Sequence, residues 1–172
     1  MSNFFLTQKD AETRFECFSG PPTYEVYLGL AAGAEYHGMV RTSFALKSLG
    51  RVFIEFNGKA VTAFTLNGRE WGAEEIAQAF KAGRADLPAE QLRQGENHLS
   101  VQFTNNYSRD GNGLHTFIDP SGDQYCYTQT EPYCCNRVFP VFDQPDLKAR
   151  LTWLVTAPLG WTVVAGTPTA KE

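Results

Sequence analysis

A chain of 172 residues lies in the single-domain range, long enough for one hydrophobic core and short for a two-domain enzyme with its own cleft. Apolar residues at 42% and charged residues at 20% exclude a disordered chain, and thirteen Phe with seven Tyr favour strands over helices. A net charge of -4 without any Lys/Arg run argues against nucleic acid or an anionic membrane as partner, because phosphate binding needs a concentrated basic face.

The opening MSNFFLTQKDAETRF has no basic segment followed by an apolar one, and no run of about 18 apolar residues occurs anywhere, so a cytoplasmic location is expected. Residues Thr7 to Phe15 carry Ala, Glu, Gln and Lys and predict a short helix capped by Thr7, with Asp10 and Glu12 near its positive end. After the Gly20-Pro21-Pro22 break, YEVYLGL alternates Tyr24, Val26, Leu28 and Leu30 with Glu25, Tyr27 and Gly29, the period of a half-buried strand. The same alternation recurs in HGMVRTSFAL, with Val40, Thr42, Phe44 and Leu46 on one face, and strands follow at RVFIEF and AVTAFTLNG.

Between Trp71 and Gln94 the texture changes, with Ile76, Ala79 and Phe80 at helical spacing and a stop at Gly83, so a short helix or a loop over the sheet edge is expected. Strands resume at HLSVQFTNNY, where Leu99, Val101 and Phe103 alternate, then at DQYCYT, ARLTWLVTAP and GWTVVAG. Many short strands with frequent turn signals, and no repeating βα units, predict an all-β, mainly antiparallel fold. It is a saddle-like double sheet or β-sandwich with one or two short helices.

The segment YCYTQTEPYCCNRVFPVFDQP concentrates Cys126, Cys134 and Cys135 within ten residues. Adjacent cysteines suit a disulfide framework poorly, and no C-x-x-C spacing or second histidine near His115 supports zinc, so reduced, inert thiols are expected. Arg137 is the sole cation there that would activate a thiol. DGNGLH carries Asp110 and Asn112, with Asp119 further on, but Ser121 stands where a calcium loop needs a bidentate acid, so a turn is expected. His115 reads as a structural residue, and Phe139, Phe142 and Trp153 as core or interdomain packing. Asp143 and Lys148 are read as paired or solvated. Glu131, on a loop before a proline, reads by default as a solvated carboxylate.

No zinc-binding H-E-x-x-H, nucleophile elbow, P-loop or dinucleotide fingerprint is present. The ordered series G-L-H-x-x-x-D-P (Gly113 to Pro120), Y-T-Q-x-E-P (Tyr127 to Pro132), R-V-F-P-x-F-D-Q-P-D-L-K-A (Arg137 to Ala149) and A-P-x-x-W-T-V (Ala157 to Val163) resembles the N-terminal domain of zinc aminopeptidases related to aminopeptidase N and puromycin-sensitive aminopeptidase. Upstream, FLTQKDAETRF and YEVYLGL are similar to the opening of the bacterial-type members, so the resemblance covers nearly the whole chain.

The resemblance implies a β-rich domain over residues 1–172 that packs beside a thermolysin-like catalytic domain and closes one side of its substrate cavity. It implies that Glu131 contributes to recognising the α-amino group of a peptide, with Gln129 beside it in the first subsite. The ammonium has three donors and no acceptor, which a fixed carboxylate neutralises and orients. The chain departs from the family's usual A-D-A-R-R-V-F-P by carrying Tyr133, Cys134, Cys135, Asn136 and Arg137 after the Glu-Pro. It also lacks the zinc motif and the G-x-M-E-N motif, so no catalysis, metal or cofactor is expected of this chain itself, zinc belonging to the family's catalytic domain. Relative to the family's N-terminal domain the chain is expected to lack the last strand or strands. An edge opened in this way would suit a protein partner or a homodimer, and a free-standing peptide- or protein-binding module of the same fold is the alternative to a domain joined to a catalytic one.

Overall fold

Thr7 opens the first element as expected: its hydroxyl accepts the Asp10 amide at 3.1 Å and starts helix α1, Gln8–Cys17. The computed structural model describes residues 5–170. Chain order continues with β1 (Thr23–Gly29), β2 (Glu35–Leu46), β3 (Val52–Glu55), β4 (Ala60–Leu66), β5 (Arg69–Glu70), α2 (Ala73–Ala79) and β6 (Arg84–Leu87). A 3-10 turn at Ala89–Gln91 leads to β7 (Gly95–Asn106), β8 (Gly113–Ile118) and β9 (Gln124–Gln129), and a second at Cys135–Arg137 precedes β10 (Arg150–Thr156).

Six strands form the main sheet in the order β10-β1-β2-β7-β4-β5, every neighbouring pair antiparallel except β1 with β10. Two smaller antiparallel pairs, β3 with β6 and β8 with β9, complete the described strands. This is the expected mainly antiparallel, all-β fold with two short helices. Alternation sets the core: Tyr24, Val26 and Leu28 of β1, Val40, Thr42, Phe44 and Leu46 of β2, and Leu99, Val101 and Phe103 of β7 are all buried. All but Thr42 share one hydrophobic cluster with Val52 and Ile54 of β3 and with Val138, Phe139, Val141 and Phe142. Reciprocal backbone hydrogen bonds of 3.0 Å between Glu55 and Val141 extend the small β3–β6 sheet to this returning segment.

Three local expectations change. GWTVVAG forms no strand: Gly160 turns at φ 93, the Trp161 amide bonds to the Pro158 carbonyl at 3.1 Å, and Val164 is 87% exposed. Among the described residues no strand pairs with it, and that apolar run stays in solvent instead of extending a ladder. The DGNGLH turn is real but hands directly into β8, and the helical texture after Trp71 ends earlier than its composition suggests, giving way to β6. No described helix is long and apolar enough to cross a membrane.

Candidate functional site

Gln129 is the last residue of β9, paired across the ladder with Gly113. Gly113 has φ 73, and a Cβ there would lie 3.1 Å from the Cβ of Arg137, so a side chain at 113 would force the hairpin off the segment beneath it. Arg137 holds the same place from its other end through both carboxylate oxygens of Asp110, at 2.9 and 3.1 Å. That charge-assisted contact draws the Asp110 carboxyl below its ordinary range.

From Gln129 the chain turns back on itself. The Cys134 amide donates to the Thr130 carbonyl at 2.9 Å, the Glu131–Pro132 peptide is cis, and the Gln129 side-chain amide donates to the Glu131 carbonyl at 3.1 Å. Gln129 and Glu131 are both exposed, and the structure joins them through a backbone carbonyl. Among the described residues nothing hydrogen-bonds to or pairs with the Glu131 carboxylate, which is therefore displayed to solvent on a closed loop.

Beneath the loop is a buried polar layer. Asn136 donates its amide and its side chain to Asp143 Oδ2 at 2.9 and 2.6 Å, and the Asn57 amide donates to the Asn136 carbonyl. Asp143 is thus neither paired with Lys148 nor solvated, because Asn136 takes it inside the fold; burial raises its carboxyl, with the Asn136 donors and Arg14 opposing. Phe139 and Phe142 are core residues, and Trp153 sets its half-exposed ring edge-on to Phe139 at 5.5 Å.

Tyr133, at φ 59, adopts the left-handed conformation that costs a non-glycine residue roughly 1–2 kcal/mol. Its hydroxyl donates to Oε1 of Glu55 at 3.3 Å. Oε2 of Glu55 accepts from Arg14 at 2.6 Å and from the Asp143 amide at 3.2 Å, and Arg84 approaches Oε1 at 3.8 Å. Burial pushes the Glu55 carboxyl up to about 7, against the pull of Arg14, the Asp143 amide and Arg84. Arg14 and Arg84 also lie over the Phe53 ring at 4.1 and 3.8 Å.

Sequence reading missed this layer, because Glu55 sits in RVFIEF where alternation alone gives an acid no reason to be buried, and its partner Arg14 is 41 positions away. The one available signal was an ionisable residue in an otherwise apolar run.

The four cysteines are free thiols, and Cys135 is pushed up to about 12 by burial, with Asp143 and Cys134 adding to the effect. His115 accepts the Gly111 amide at Nδ1 and packs its ring against Tyr127 at 5.0 Å. No group of three or more His, Cys, Asp or Glu among the described residues is placed to hold a metal.

A family profile described as the Peptidase M1 N-terminal domain matches residues 21–172. Aminopeptidase N of Streptomyces lividans is 38% identical over 171 residues, covering 96% of this chain and 19% of that protein. Probable M1 family aminopeptidase 1 of Encephalitozoon cuniculi is 39% identical over 85 residues, 47% of this chain and 10% of that protein. The chain therefore spans about a fifth or less of the curated relatives it matches. In fold, leukotriene A4 hydrolase from Saccharomyces cerevisiae superposes with a TM-score of 0.63 at 17% identity, over 84% of this chain and 24% of that one. A variant of an M1 zinc metallopeptidase from Deinococcus radiodurans does so at 0.58 and 18%, over 83% and 34%. With its family profile matched across 152 of 172 positions (172 − 21 + 1) and its relative identical at more than a third of positions, the chain belongs to the M1 peptidase family as the family's N-terminal domain.

Proposed function

We propose that this domain is a non-catalytic recognition element of a zinc aminopeptidase, presenting Glu131, with Gln129 beside it, to the α-amino group of a peptide. The observation that carries this reading is the Glu131 carboxylate itself: exposed, without a partner among the described residues, and mounted on a loop closed by the Thr130–Cys134 and Gln129–Glu131 hydrogen bonds. A carboxylate with no internal partner keeps its acceptor capacity for an ammonium donor, and a closed loop loses little entropy on binding.

The described donors do not fit a zinc ion, so in this reading the metal and the hydrolytic step belong to a catalytic domain, the partner against which Glu131 completes a site. The four free thiols suit a reducing compartment such as the cytoplasm. Binding by this chain alone is expected to be weak, about millimolar, a scale set by one charged contact without an enclosing cavity.

The test is titration of the chain with tri-alanine and with its N-acetyl derivative, followed by the backbone amide shifts of Gln129 and Glu131. Saturable shifts with the free amine, lost on acetylation and in Glu131→Gln, support the reading; equal response to both peptides overturns it. Turnover by the purified chain in the presence of zinc would overturn the non-catalytic assignment.

A second reading rests on the sheet edge. Among the described residues no strand pairs with the outer side of β10, and Leu151, Trp153 and Leu154 there are each at least 38% exposed. Such an edge favours strand addition by a protein partner or a second copy. Sedimentation of the chain across concentrations tests the homodimer form of this reading, which a concentration-independent monomer overturns.

A further inference from the structure

Resting on the amine-recognition reading, we propose that Tyr133 is a positioning residue for Glu131, fixing the recognition loop by seating its hydroxyl on the buried carboxylate of Glu55. Of the five residues 130–134, Thr130, Glu131 and Pro132 are exposed, whereas Tyr133 reaches inward and is half-buried. The ends of the loop are held independently, by the β8–β9 ladder before it and by Asn136 on Asp143 after it. Between them, Tyr133 supplies the link from the loop to the polar layer.

The two oxygens of Glu55 divide the work. Oε2 is committed to Arg14 of α1 and to the Asp143 amide, which leaves Oε1 for the Tyr133 hydroxyl, with Arg84 of β6 beside it. Arg84 also hydrogen-bonds Tyr133. Each partner comes from a separate element, so the position of Oε1 is set by the folded core and not by the loop. A chain extends at most about 3.6 Å per residue, so an anchor at Tyr133 confines the Glu131 Cα to roughly 7 Å of a fixed point.

The left-handed backbone of Tyr133 persists because the surrounding partners over-determine it.

The experiment is made on the full 172-residue chain. Tyr133→Phe keeps the ring and removes the donor. The exchange rate of the Cys134 amide, bonded to the Thr130 carbonyl, is expected to rise roughly tenfold, the scale of one lost hydrogen bond. The His98 amide, held by Asn67 far from the loop, is expected to keep its rate. Glu55→Met, which leaves the Tyr133 hydroxyl without its acceptor, is expected to lose Cys134 protection as Tyr133→Phe does, with the His98 amide again as the control. Unchanged Cys134 exchange in Tyr133→Phe overturns the proposal.

Titration with tri-alanine separates the two inferences. If wild type binds and Tyr133→Phe binds at least about fivefold more weakly while Glu131→Gln abolishes binding, positioning is supported. Equal affinity of wild type and Tyr133→Phe overturns positioning and leaves the amine reading standing. If wild type fails to distinguish tri-alanine from its acetylated form, the amine reading falls and the Cys134 exchange still decides whether Tyr133 fixes the loop.

Discussion

Arg14 of α1 and Glu55 of β3 meet at 2.6 Å with side chains 0% and 2% exposed, tying the N-terminal helix to the smaller sheet through a fully buried ion pair. The guanidinium also donates to the Gln144 side chain and to the Phe53 carbonyl, and Gln144 in turn donates to the Ala11 carbonyl. Helix, strand and the 141–144 segment thus share one polar junction, the same junction that reaches the 130–134 loop through Tyr133.

Removing one partner leaves the other charge buried, which costs far more than the pair contributes. Glu55→Ala is expected to destabilise the chain by about 3–5 kcal/mol. The joint Arg14→Met, Glu55→Leu replacement is expected to cost much less, since no uncompensated charge remains. Urea unfolding midpoints of the three proteins check this, and a double variant no more stable than Glu55→Ala would show that the junction depends on something other than charge compensation.

The Glu55 carboxyl also makes stability depend on pH. Burial raises it from 4.5 to about 7, so the folded state binds its proton more tightly than the unfolded state does. The resulting stabilisation is fully present below 4.5 and is lost as pH rises through 7. Asp143, also raised by burial, acts in the same direction. Asp10 acts oppositely: burial there is outweighed by hydrogen bonds from Thr7 and Arg84 and by the charges of Arg84 and Arg51, and its contribution is lost as pH falls below 3.8. The difference in unfolding free energy between wild type and Glu55→Gln is therefore expected to shrink between pH 4.5 and 7 and then level off. A difference that grows over that interval contradicts the assignment.

The main sheet was legible because its chemistry is local. Tyr24, Val26 and Leu28, or Leu99, Val101 and Phe103, declare their inward face by alternation alone, and the structure buries each of them. β8 was less visible because GLHTFI begins inside a turn-rich run and half-exposes its apolar residues, Phe117 at 43% and Ile118 at 61%. β6 was hidden in RADL, a tetrad of helix-tolerant composition whose strand state comes from pairing with β3. GWTVVAG failed for the converse reason, a strand-like sequence that pairs with no described strand. At the candidate site the exposed loop was legible from Glu131 standing before Pro132, whereas the support under it was not. Tyr133 and Glu55 are 78 positions apart, and nothing local to either one announces the other.

The thiols are expected to differ by burial and not by their neighbours in sequence. Cys17 is 3% exposed and raised by burial, and Cys135 is raised to about 12, so both are poor thiolates at pH 8. Cys126, Cys134 and Cys135 are all only partly covered, and what sets Cys135 apart is the packing around its sulfur that raises the thiol. Native-state labelling with a chromogenic disulfide at pH 8 is expected to modify two thiols rapidly and the remaining two only on unfolding, with mass mapping placing the fast pair at Cys126 and Cys134. Rapid modification of Cys135 would contradict its burial beside Asp143.

The β4–β5 hairpin gives the sharpest separation of backbone from side-chain effects. Asn67 turns the chain at φ 51, and its side chain donates to the Gln91 carbonyl and to Asn97 Oδ1, both at 2.8 Å, while accepting the His98 amide at 2.9 Å. Asn67→Gly keeps the backbone state and loses those bonds, at about 1–2 kcal/mol, because Asn97 retains the Arg93 amide and carbonyl as partners. Asn67→Ala loses the same bonds and also forces a Cβ-bearing residue without local hydrogen bonding into the left-handed region, adding roughly 1–2 kcal/mol. Thermal or urea unfolding is therefore expected to rank wild type above Asn67→Gly above Asn67→Ala. If alanine is tolerated as well as glycine, the turn must relax to another conformation, which would slide the β4–β7 register that places Phe64 and Leu66 in the core.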